Sequence, residues 1–143
     1  MDEIDHKLLR ALQKNSRCPI KSMSQEVSLS SPAVSARIER LERQGIIRGY
    51  TLDVDPLQLG HHILAYISLD MTPNDKPKFI PFIGSVPNVI ECNCVTGMYS
   101  MLIKVSYPST QELDSFIGQL QQFGKTETQI VFSSPVPPRG IAL

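Results

Sequence analysis

An α+β chain in two parts is what the sequence predicts. Through the first 45 residues apolar side chains recur at helical spacing, with breaks after residues 14 and 28. From residue 63 the pattern becomes strand, helix, strand, strand, helix, strand. Charge divides the same way: residues 1–50 hold nine Lys/Arg against six Asp/Glu, and residues 51–143 hold five against eight. The first part reads as three short helices and a β-hairpin, the layout of a winged helix-turn-helix. The second reads as a ferredoxin-like βαββαβ domain with both helices on one face.

Asp2 is placed to cap a first helix whose stripe is Ile4, Leu8, Leu9 and Leu12. Asn15-Ser16 ends it. Pro19-Ile20 restarts the chain, and a short second helix turns Met23 and Val27 inward. Ser28-Leu29-Ser30-Ser31 is a break rich in capping residues, and Pro32 fits the first turn of a third helix. Val34, Ile38 and Leu41 form the buried stripe of that helix, and Gly45 stops it. Ile46 to Leu52 is β-rich, with Gly49 at a bend, and predicts the hairpin wing. The N-terminal domain is thus expected over residues 1–52 and a linker over 53–62, where Asp55-Pro56 starts a turn and Gly60 breaks the chain.

In the second domain, residues 63–134, the expected strands are Ile63–Asp70, Val89–Thr96, Tyr99–Tyr107 and Thr126–Ser133. Phe79, Phe82, Ile83 and Val86 mark one helix, shortened or distorted by Pro77 and Pro81. Ser109-x-x-Glu112 is a capping box opening a second helix through Leu113, Phe116, Ile117 and Leu120. Both phases of the first and third strands hold apolar residues, Leu64 and Tyr66 beside Ala65 and Ile67, and Leu102 beside Ile103. A sheet apolar on both faces needs a second cover, and the same sheet of another subunit supplies it, so an isologous homodimer is expected. Residues 135–143 read as an extended, weakly ordered Pro-rich tail.

A composition of 41% hydrophobic and 20% charged residues is ordinarily globular. No apolar run approaches the ~20 residues of a membrane span, and the acidic opening Met1-Asp2-Glu3-Ile4-Asp5 lacks a signal-peptide core, so a cytoplasmic location without membrane attachment is expected. Cys18, Cys92 and Cys94 cannot pair completely, and His61 and His62 lie some thirty residues before the last two. With no ligand pair at finger-like spacing, reduced, half-buried cysteines are the preferred reading over a metal site, and no cofactor is expected. His61 and His62 read as exposed linker residues.

The basic half is the part suited to phosphate. Ser16 to Tyr50 carries six basic residues against three acidic ones. The candidate DNA-binding residues are Ser31, Ala33, Ser35, Ala36, Arg37, Arg40 and Arg43 on the third helix, with Arg48 beyond it. Small residues permit approach to a groove floor, and arginines pair with phosphates or reach guanine edges. On charge alone a solvated helix face reads the same, and the helix-turn-helix setting favours double-stranded DNA.

The run from Leu29 to Tyr50, LSSPAVSARIERLERQGIIRGY, resembles the helix-turn-helix signature of the Lrp/AsnC family of transcriptional regulators. The pattern Asp5-x-x-Leu8-Leu9-x-x-Leu12-x-x-Asn15-x-Arg17 and Asp55-Pro56-x-x-Leu59-Gly60 resemble it at matching spacing. Val89 to Tyr99 and the strand after it are similar to the family's amino-acid-metabolism regulatory (RAM) domain. The resemblance implies a sequence-specific regulator that dimerises through this domain, assembles to octamers and responds to a small effector, typically an amino acid. It places a tentative effector loop at Thr96, Gly97, Met98, Tyr99 and Ser100. The family usually has an aspartate after the aromatic residue; Ser100 removes a carboxylate that would pair with an ammonium group. Read from the residues alone, the same five form a β-turn whose glycine supplies positive φ.

Two other functions fit the sequence less well. An enzyme needs converging polar groups, yet from Ile63 onward there is no histidine, Arg139 is the sole arginine, and no G-x-S-x-G, phosphate loop or H-E-x-x-H occurs. A protein-interaction module without DNA binding would differ from a regulator by lacking salt-dependent DNA affinity.

Overall fold

Asp2 and Asp5 begin helix α1 (Glu3–Lys14) by exchanging hydrogen bonds: the Asp5 N–H donates to Asp2 Oδ1 at 2.9 Å and the Asp2 N–H to Asp5 Oδ2 at 3.0 Å. This reciprocal cap satisfies two amides that the helix itself leaves open. The computed structural model describes residues 1–143, in two units: residues 1–53 with 137–143, and residues 54–136.

In the first unit α2 (Ile20–Val27) ends at Ser28, whose φ of 54° is left-handed. Helix α3 (Ser31–Arg43) follows, with the Ser30 hydroxyl accepting from the Ala33 N–H and Pro32 in the first turn. Leu8, Met23, Val34 and Ile38 make the core of the three helices, with Ile4, Leu12, Val27 and Ile47 packed around it. Gly45, at φ 69°, closes α3: its N–H donates to the Glu42 carbonyl and the Ile46 N–H to that of Leu41. That is the Schellman arrangement, which needs the left-handed residue.

The hairpin expected over Ile46–Leu52 is not formed within the chain, which has no strand between Arg43 and Ile63. The helix stop is the physical reason. The N–H groups of Ile46 and Ile47 both bond to the Leu41 carbonyl, at 3.0 and 3.2 Å, and cannot serve a ladder. The Tyr50 hydroxyl turns back to Glu42 at 2.8 Å. The C-terminal segment also differs from a loose tail. Gln13 donates to the Ile141 carbonyl at 2.9 Å and Arg10 to that of Leu143 at 3.1 Å, laying residues 137–143 along α1.

The second unit is a four-stranded antiparallel sheet in the order β2-β3-β1-β4, from β1 (Ile63–Met71), β2 (Val89–Cys94), β3 (Met101–Tyr107) and β4 (Gly124–Ile130). A short 3-10 turn at Pro73–Asp75 leads into α4 (Lys76–Ser85), which runs on through Pro81, and α5 (Thr110–Leu120) follows β3. Relative to the apolar pattern, β1 runs one residue longer, β2 ends two residues earlier, β3 starts two later, and β4 starts two and ends three residues earlier.

Phe79 and Ile83 of α4 and Leu113, Phe116 and Leu120 of α5 pack on Ala65, Ile67, Leu69, Met101, Ile103 and Val105. Phe79 meets Phe123 edge-on, with ring centroids 5.4 Å apart, the geometry that the aromatic quadrupole favours. The opposite sheet face corrects one expectation. Leu64, Tyr66 and Leu102 do lie there, but Glu91, Asn93, Lys125, Glu127 and Gln129 share it through the pairings Glu91↔Lys104, Asn93↔Leu102, Ser68↔Glu127 and Tyr66↔Gln129. The two edge strands make mixed a face that the apolar residues of β1 and β3 suggested was apolar. His61 is half-buried and not a free linker residue: its Nδ1 lies 3.1 Å from the Ser106 hydroxyl.

Candidate nucleic-acid interface and effector loop

Burial sorts the turns of α3 into stripes. Val34, Ile38 and Leu41 are buried, whereas Pro32, Ala36, Glu39 and Arg43 are exposed at i, i+4, i+7 and i+11 and so form one outward line. Ser31 is exposed at the start of the helix, and Ala33 and Ser35 are half-buried at the margins. Periodicity alone contains the signal for Pro32 and Glu39, which a search for small and basic residues passes over. Glu39 only accepts hydrogen bonds, so on this line it suits a donor such as the cytosine N4 amine and repels phosphate.

Arg37 and Arg40 are engaged by acidic residues of α1. Arg37 Nη1 lies 2.7 Å from Asp2 Oδ2 and 2.8 Å from Asp5 Oδ1, and Arg40 Nη2 lies 2.7 Å from Asp5 Oδ2. Their charges are compensated by the first turn of α1. Asp5 is the centre of the cluster, with its side chain 1% exposed. Burial pushes its carboxyl up, but the Asp2 backbone N–H, the Arg37 hydrogen bond and the Arg40 charge together hold it below the ordinary value. The Asp2 carboxyl is held at about 2, first by the Asp5 N–H and then by Arg37. The two carboxylates in turn raise the Arg37 guanidinium. Arg43 and Arg48 are both exposed and form no ion pair, so theirs is the uncompensated positive charge at and beyond the end of α3.

The loop between β2 and β3 presents Thr96, Gly97 and Met98 to solvent, with Gly97 at φ 113°. Tyr99 and Ser100 are half-buried and tied down. The Tyr99 hydroxyl donates to Glu127 Oε2 at 2.8 Å. That bond, then burial, then the charges of Glu127 and Asp70 raise the phenol. The Ser100 hydroxyl accepts from the Met71 N–H at 3.1 Å and lies within donating distance of the Leu69 and Met71 carbonyls. An aspartate could accept that N–H but would face the two carbonyls with no proton to give. Serine at position 100 is therefore a pin between the loop and β1, and Glu127 supplies a carboxylate hydrogen-bonded to the loop. No helix is long and apolar enough to cross a membrane.

Comparisons with known proteins agree with this division. Residues 1–48 match the winged helix-turn-helix DNA-binding family, and residues 64–141 match the Lrp/AsnC ligand binding domain. The chain is 29% identical to the HTH-type transcriptional regulator LrpC of Bacillus subtilis (strain 168) over 133 residues, 93% of this chain and 92% of that one. It is 32% identical to LrpA of the same organism, covering 92% and 97% of the two chains. Among solved structures, B. subtilis LrpC superposes with a TM-score of 0.90 at 28% identity, over 96% of this chain and 99% of that one. E. coli AsnC superposes at 0.89 with 30% identity, over 99% and 97%.

Proposed function

The chain belongs to the Lrp/AsnC family of HTH-type transcriptional regulators, and from that premise we propose that it reads operator DNA with the exposed stripe Pro32–Ala36–Glu39–Arg43. It is a DNA-binding regulator and not an enzyme. The observation that carries the assignment of the reading surface is the outward line on α3, which remains free while Arg37 and Arg40 are held by Asp2 and Asp5. Ser31 and Ser35 flank that line, Ala36 lets the helix approach base edges, and Arg43 and Arg48 meet phosphates.

The regulator acts as a homodimer formed by the sheet unit, presenting two recognition helices about one DNA turn (~34 Å) or a multiple apart. Supporting this, β4 has one free edge, Ile130 is exposed, and Phe132 just beyond it is 100% exposed. Dimers assemble further to octamers, around which bent DNA contributes specificity through its deformability. An amino-acid effector engages Thr96–Tyr99, with Glu127, held by Tyr99, as the partner for its ammonium group, while Ser100 anchors the loop. The site of action is the cytoplasm.

The test is DNA binding by the purified protein across a salt series, using the DNA upstream of its own gene. Binding that exceeds that to scrambled sequence and weakens steeply with salt is expected, because neutralised phosphates release counterions. Arg43→Ala and Arg48→Ala each flatten the slope of log affinity against log salt by about 0.9 per recognition helix, roughly 1.8 for the dimer. Unchanged slopes in both variants would move the phosphate contacts off this end of α3.

A further inference from the structure

Strand β2 carries Cys92 and Cys94 two positions apart, so both point to one face, opposite Ile103 and Met101 of β3. Met101 is 2% exposed, and its thioether sulfur lies 3.5 Å from Cys94 Sγ. Both cysteines are free thiols, Cys92 half-buried and Cys94 exposed. A count of His and Cys ligands misses the third sulfur, because it arrives from the neighbouring strand.

Alternate positions on a strand are about 6.6 Å apart along the chain. That is at the upper end of the Cα spacing of a disulfide, about 4.4–6.8 Å, so a direct S–S bond sits at the limit of its ordinary geometry. A metal ion with sulfur bonds of about 2.3 Å on either side relaxes that requirement, because it holds the two sulfurs about 4.6 Å apart. No His, Asp or Glu completes a ligand group of three with these cysteines. The donors are therefore all soft, and they are too few for the four-coordinate shell of a structural zinc ion.

We propose that Cys92, Cys94 and Met101 form a three-sulfur site for a soft monovalent cation, Cu(I) or Ag(I). On binding, each thiol gives its proton to solvent as its metal–sulfur bond forms, the thioether donates a lone pair, and no electron is transferred. Cys94 immediately precedes the loop Val95–Ser100 and Met101 immediately follows it. The Val95 N–H already bonds to the Ser100 carbonyl at 2.9 Å. An ion joining Cys94 to Met101 staples the base of this loop one residue further out, so occupancy of the site restricts the loop.

The experiment is a competition titration of the reduced, full-length protein with Cu(I) against a colorimetric Cu(I) chelator. The protein is expected to take up one equivalent. C92S and C94S each weaken the affinity about 100-fold or more, because two linked ligands gain roughly 10²–10⁴ over one. M101L weakens it by less, and C18S leaves it unchanged. Cys94 is exposed, so C94S leaves the core intact and carries the test should C92S or M101L unfold. No uptake against the chelator, or uptake unaffected by C94S, would overturn the site. Full affinity in a folded M101L protein would remove the thioether from it, and equally tight Zn(II) at the same cysteines would overturn the soft-cation class.

Discussion

At Asp5 one carboxylate caps a helix, neutralises two arginines and is almost withdrawn from water. Removing it leaves Arg40 without a counterion and Arg37 with Asp2 alone, so Asp5→Ala is expected to cost about 2–3 kcal/mol, read from the urea midpoint. The pH dependence follows from the direction of the shifts. Asp2 and Asp5 both titrate below their ordinary 3.8, so the unfolded chain binds more protons than the folded one in acid. The stability they confer is complete above about pH 4 and is lost as pH falls toward 2. Urea midpoints from pH 5 to 2.5 should decline in the natural protein and decline less in Asp5→Asn. Ser28 is a second residue with a clear expectation. Its left-handed φ of 54° is one that side chains resist, and Ser28→Gly should raise stability by about 0.5–1 kcal/mol, provided the turn keeps its shape.

Among the elements, β4 depends on one close approach. A Cβ at Gly124 would collide with the Asp70 carbonyl where β4 starts beside β1. Gly124→Ala is therefore expected to cost about 1–3 kcal/mol, with the loss of amide protection in hydrogen exchange concentrated on Gly124–Ile130 and its partners on β1. Helix α4 shows how packing overrides local preference. Pro81 removes an internal amide donor, yet the helix continues to Ser85 because Phe79 and Ile83 are seated on the sheet. Phe79→Ala should cost about 3–5 kcal/mol, as large-to-small changes do in a closed core. The helix signals legible in sequence, the Asp2 cap, the Ser109 cap and the Gly45 stop, appear in the structure because each acts within one turn of chain, although Glu112 meets the Ser109 hydroxyl and not its N–H, so only half of the expected box forms. The hairpin expected after α3 does not form within the chain, because β-propensity at Ile46 and Ile47 says nothing of amides already engaged by Leu41.

For the whole molecule, the two groups of arginines should separate function from stability. Arg43→Ala and Arg48→Ala are expected to weaken DNA binding at unchanged stability, whereas Arg37→Ala and Arg40→Ala lower the melting temperature first. Equal melting temperatures with weakened binding in all four would mean that Arg37 and Arg40 leave Asp5 to reach DNA. Truncation of residues 137–143 removes the two hydrogen bonds from Arg10 and Gln13, both exposed, and should cost about 1–2 kcal/mol in the first unit. A larger loss would show that the apolar end, Ile141 and Leu143, contributes packing on α1 as well.

By itself the sequence determined the division into a basic helical part and a βαββαβ part, the helix limits, the core stripes and the family. These follow from periodicity, capping and motif spacing, all of which act over a few residues. Only the tertiary structure decided which arginines of α3 are free, because Asp2 and Asp5 lie more than thirty positions from their partners. It likewise decided that the second sheet face is mixed, since the polar residues of β2 and β4 reach that face only through strand register. It made Ser100 a pin to β1 and brought the Met101 sulfur to Cys94. In each case the deciding contact joins residues whose proximity depends on how the strands pair or the helices pack, and no local pattern encodes that distance.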